Sequence, residues 1–110
     1  MSDIIGQLSK ILEARKQADP GASYVSGLYQ RGTNHILEKI GEEATELLIA
    51  AKDAEQSGQN SEMIHEMADL WFHTLVLLAH LGETPHDLLN ELQRRFGTSG
   101  LVEKANRDNV

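Results

Sequence analysis

Apolar residues recur along this chain at intervals of three and four, the period of helices that bury one face, and no stretch alternates as a strand would. Ile4, Ile5, Leu8, Ile11 and Leu12 predict a first amphipathic helix, capped by Ser2 and running to about Ala18, before the Asp19-Pro20-Gly21 break. In the segment SYVSGLYQRGTNH, Ser23 stands as an N-cap while Gly27 and Gly32 interrupt, so a short helix and a loop are expected. A long helix follows from about Asn34 to Gln56 and stops at the turn Ser57-Gly58-Gln59-Asn60. Ser61 caps a second long helix reaching Leu81, with Gly82 as its stop. Thr84 caps and Pro85 opens a last helix to about Phe96, after which a loop from Gly97 to Gly100 leads into a polar tail.

These elements describe an all-α helical bundle built on a long antiparallel helix hairpin, in one domain spanning residues 1–110. Met63, Met67 and Trp71 of the second long helix are assigned to its core. The apolar arcs of both long helices are wide for so short a chain, so a homodimer is expected to complete the bundle.

Composition narrows the chemistry. The chain has 110 residues, 40% of them hydrophobic and 25% charged, and no run is apolar enough to span a bilayer. Charges fall inside the apolar pattern of MSDIIGQLSKILEARKQ, so this segment reads as an amphipathic helix and not a secretion signal, and a cytoplasmic location is expected. With no cysteine, thiolate zinc sites and cysteine nucleophiles are excluded. A formal net charge of −7 argues against a nucleic-acid surface, and an anionic substrate would need a cation to approach.

On the first long helix Lys39, Glu43, Glu46 and Ala50 fall within roughly 60° of one another at the edge of the apolar face, with Glu42 farther round. The second long helix repeats the design with Glu62, Glu66, Asp69 and His73, after which Leu77 continues the stripe. In an antiparallel hairpin Glu43 and Glu46 would face Glu66 and Asp69, and four mutually repelling carboxylates make sense chiefly around a cation. All-oxygen ligation favours Mg²⁺ or Mn²⁺.

Blander readings stand beside this one. The acids could form a solvated helix face, as Lys52, Glu55 and Glu62 do well, and Lys39 could pair with Glu43 instead of a phosphate. His73 reads as a core-edge histidine bonded to a neighbour before it reads as a ligand. A di-iron site using Glu62 and His65 fits poorly, because His65 is expected to point away from the Glu66 and Asp69 stripe. Neither a Gly-x-x-x-x-Gly-Lys loop nor a Gly-x-Ser-x-Gly elbow is present.

KIGEEATELLIAAK at 39–52 and EMADLWFHTLVLLA at 66–79 resemble the acidic motifs of the all-α nucleoside triphosphate pyrophosphatase superfamily. Together with SYVSGLYQRGTNHILEKIGEEATE and the ending GTSGLVEKANR, they look like the phosphoribosyl-ATP pyrophosphatase family of histidine biosynthesis, over nearly the whole chain. Val25 stands where that family's pattern suggests threonine. The resemblance implies magnesium-dependent cleavage of phosphoribosyl-ATP into phosphoribosyl-AMP and pyrophosphate. Carried over, Glu43, Glu46, Glu66 and Asp69 would hold Mg²⁺, and Glu42 would ligate a second ion or orient the attacking water. Lys39, with Arg31 or a tail residue such as Lys104 or Arg107, would hold phosphates. Two other functions compete: a housecleaning pyrophosphatase for non-standard nucleotides, and a non-catalytic helical dimerisation module.

Overall fold

Residues 3–97 are described by the computed structural model. In order they form α1 (Ile4–Ala14), a 3₁₀ turn (Arg15–Gln17), α2 (Tyr24–Arg31), α3 (Thr33–Ser57), α4 (Ser61–His80), α5 (Pro85–Arg94) and a second 3₁₀ turn (Arg95–Gly97). The described residues contain no strand, in agreement with the helical period of the sequence.

The expected helices are all present, with local differences at their ends. Asp3 caps α1, its Oδ1 accepting from the Gly6 N–H at 2.9 Å, and Ser2, the expected cap, lies outside the described residues. The α-helix ends at Ala14 instead of Ala18 because its last turn tightens to 3₁₀, closed by the Ala18 N–H on the Arg15 carbonyl. Between α2 and α3 the expected loop shrinks to Gly32 alone, whose φ of 92° turns the chain through a conformation that side chains disfavour. Gly58, at φ 75°, ends α3 by donating its N–H to the Ala54 carbonyl, and Asn60 rather than Ser61 occupies the cap position of α4.

α3 and α4 make the most extensive helix contact, forming the hairpin, while α2 packs on α3 and α1 on α4 and α5. Leu12, Ile36 and Val76 are fully buried, with Val25, Leu28, Leu75 and Ala79 around them. Each large buried side chain contributes about 1.5–3 kcal/mol. This core fills the end of the hairpin where α3 starts and α4 finishes, so the mid-helix acids border it.

One assignment is corrected. Trp71 and Met67 are exposed by 61% and 40%. Trp71 instead lines an apolar groove with Ile5, Leu75, Leu88, Leu89 and Leu92, because the apolar arc of α4 is wider than α1, α3 and α5 cover. No helix among the described residues is long and apolar enough to cross a membrane.

Candidate metal centre

Helical spacing brings acids of both long helices together at mid-hairpin. Glu43 and Glu46 sit one turn apart on α3 and Glu66 enters from α4, so that one carboxylate oxygen of each lies within 4.8 Å of the other two. Glu43 is buried and Glu66 half-buried, and the Oε2 atoms of both are shielded from solvent without a hydrogen-bond partner. Burial, reinforced by the charges of Glu46 and Asp69, pushes the Glu43 carboxyl above the usual range. The Glu66 carboxyl is pushed up to about 7, first by desolvation and then by contact with Glu46 and Glu62. Ionised carboxylates only accept hydrogen bonds, so acids this close need a shared proton or a cation between them. Orphaned oxygens in an all-oxygen donor set fit a hard divalent ion.

Asp69 joins this centre from one side. It groups with Glu66 and His65 within 4.8 Å, and its Oδ2 lies 3.4 Å from His65 Nε2. The expected four-acid convergence is therefore a triad of Glu43, Glu46 and Glu66, with Asp69 attached through Glu66. His65 does not point away from Asp69: residues four apart on a helix share a face, a relation already readable in the sequence. Glu42 stands outside the triad, exposed, and its Oε2 accepts from Lys39 Nζ at 3.2 Å. Lys39 thus pairs with Glu42 and not with Glu43, and that hydrogen bond is the main cause of its raised pKa. Arg31, at the end of α2, places Nη1 3.5 Å from His35 Nε2. Lys104 and Arg107 lie outside the described residues.

His73 is bonded to neighbours, as its position suggested. The Asp69 carbonyl, 2.8 Å from Nδ1, can only accept, so Nδ1 carries the proton and Nε2 accepts from the Tyr24 hydroxyl at 2.8 Å. Both ring nitrogens are occupied, and the imidazole ties the start of α2 to the hairpin, with Nδ1 4.0 Å from Glu43 Oε1. Sequence reasoning missed Tyr24, since no local signal links positions 49 apart.

Residues 5–96 match the family described as phosphoribosyl-ATP pyrophosphohydrolase. The Phosphoribosyl-ATP pyrophosphatase of Hydrogenovibrio crunogenus (strain DSM 25203 / XCL-2) is 58% identical over 106 residues, covering 96% of this chain and 94% of that protein. The matched stretch runs from α1 through the triad to the end of α5, so the likeness involves the whole scaffold of the centre and not one motif, and the chain belongs to the phosphoribosyl-ATP pyrophosphohydrolase family.

Proposed function

We propose that the chain, acting as one domain, hydrolyses phosphoribosyl-ATP to phosphoribosyl-AMP and pyrophosphate, the second step of histidine biosynthesis. The observation that carries this reading is the carboxylate triad, whose buried oxygens lack partners and whose Glu66 is held protonated up to near neutrality, in a chain of this family. Glu43, Glu46, Glu66 and Asp69 are the residues that would hold Mg²⁺, or Mn²⁺ in its place. When bound, the ion supplies charge neutralisation and Lewis acidity at phosphate oxygens.

The remaining work falls to side chains. Lys39 and Arg31, with Lys104 or Arg107 of the tail, bind phosphate oxygens as cations. Glu42 is assigned to orienting the attacking water, or to a second ion. The water attacks phosphorus in line at the linkage between the α and β phosphates, its oxygen forming the new bond as the bond to the bridging oxygen breaks and its proton passing to solvent, and no covalent intermediate is required. His73 links α2 to the hairpin, its Nε2 bonded to the Tyr24 hydroxyl and its Nδ1 4.0 Å from Glu43 Oε1. The exposed apolar side chains Ile4, Ile64, Trp71 and Leu92 support a homodimer, and a role in amino-acid biosynthesis supports a cytoplasmic location.

Pyrophosphate release from phosphoribosyl-ATP with Mg²⁺ and with excess EDTA, beside ATP, dUTP and dCTP, tests the reading. Magnesium-dependent turnover of phosphoribosyl-ATP alone supports it. Turnover of the other nucleotides in its place moves the substrate to a housecleaning role, and no turnover of any leaves a dimerisation module.

A further inference from the structure

Resting on that reading, we propose that a second cavity beside the carboxylates is the subsite for the phosphorylated ribose that distinguishes phosphoribosyl-ATP from ATP. Arg31 and His35 are its phosphate contacts, and Tyr24 is its wall toward the carboxylates.

The cavity measures about 390 Å³ and lies between the loop Pro20–Ser23, one face of α2 and the first turn of α3. Tyr24, Gly27, Leu28 and Arg31 recur at the spacing of a single helix face, and His35 closes the far side. Arg31 is the one formally charged side chain among its lining residues, although acids outnumber bases 17 to 10 in the chain. Glu46, Asp53, Glu62 and Glu66, by contrast, line a cavity of about 200 Å³ at the triad. Two cavities of opposite charge thus adjoin one hairpin. The acid-lined one receives an anion only with a cation present, whereas the cavity at Arg31 receives a phosphate directly.

Their placement suits one ligand. Tyr24 lines the cation-lined cavity and bonds His73, which faces Glu43. Along α3, His35, Lys39, Glu43 and Glu46 follow a single stripe, and the eight helical steps from His35 to Glu43 rise about 12 Å along the helix. Phosphoribosyl-ATP carries a ribose phosphate at each side of its purine, so its two anionic ends need separate sites. The triphosphate belongs at the carboxylates and the monophosphate at Arg31. Gly27 keeps the cavity open, since a Cβ there would meet only the Pro20 carbonyl, at 3.6 Å, and a larger side chain would extend into the space.

The test combines kinetics with a binding probe. Ribose 5-phosphate is titrated into ¹⁵N-labelled metal-free protein, and KM for phosphoribosyl-ATP and the inhibition constant for ATP are measured for wild type, Arg31→Ala and Gly27→Leu. The second variant fills the cavity while improving helix propensity, so a folding loss is not expected. Ribose 5-phosphate should shift the Tyr24, Gly27 and His35 amides. Each variant should raise KM for phosphoribosyl-ATP on the order of 10- to 100-fold, the worth of a charge-assisted phosphate contact, with the ATP inhibition constant unmoved. Wild-type KM in both variants, or ribose 5-phosphate shifts confined to other residues, would overturn the subsite. Failure of the wild type to hydrolyse phosphoribosyl-ATP would instead overturn the activity, and the ribose 5-phosphate titration would still decide what the cavity binds.

Discussion

Magnesium binding should expel a proton from the triad. With the Glu66 carboxyl at about 7, about half of the metal-free molecules carry that proton at pH 7 and about a tenth at pH 8. A ligating carboxylate must be ionised, so each binding event at pH 7 releases about half a proton from Glu66, and Glu43, also pushed upward by burial, adds to it. Calorimetric titration of MgCl₂ in two buffers of different ionisation enthalpy reads this number directly, as the slope of apparent binding enthalpy against buffer enthalpy. The slope should be at least about half a proton at pH 7, shrink at pH 8, and fall in Glu66→Gln, which removes the titrating group. A slope near zero at pH 7 in the wild type, or an unchanged slope in Glu66→Gln, would refute the reasoning that these crowded acids share protons until a cation replaces them.

The same group predicts the pH dependence of the metal-free fold. Its folded pKa is raised above the ordinary 4.5, so its stabilisation is fully present below about 4.5 and lost as pH rises through about 7. Melting temperature in EDTA should fall from pH 6 to pH 8, and Glu66→Gln should flatten that decline; a melting temperature rising over the interval contradicts the sign. Alanine at Glu46 or Asp69 should abolish pyrophosphate release with the far-ultraviolet helical signal intact, and retained turnover would remove that residue from the centre. Tyr24→Phe leaves the buried Nε2 of His73 without its donor, which should cost about 1–3 kcal/mol in urea unfolding and cost far less in a His73→Phe background.

How far the chain could be read ahead of its structure depended on the sequence range of each interaction. The hairpin was legible because its signals are local: apolar spacing, Gly58 at the end of α3, and Thr84 with Asp87 at the start of α5, where the Asp87 carboxylate accepts from the Thr84 N–H. The acidic stripes were legible for the same reason, since three- and four-residue spacing fixes which side chains share a face. That rule also brings His65 to Asp69, four residues on, so their contact carries a local signal. Glu42 shows the reverse case: adjacent to Glu43 in sequence, it is rotated by about 100° out of the triad and meets Lys39 instead. The Tyr24–His73 bond had no local signature, because it depends on how α2 lies against the hairpin. The exposure of Trp71 has a related reason: periodicity reports which face of a helix is apolar, but whether that face is covered depends on what packs against it. The groove it borders, with Leu88, Leu89 and Leu92 of α5, gives α4 an apolar side beyond the core at Val76, so the same helix presents acids to the centre and leaves an uncovered apolar surface elsewhere on its circumference.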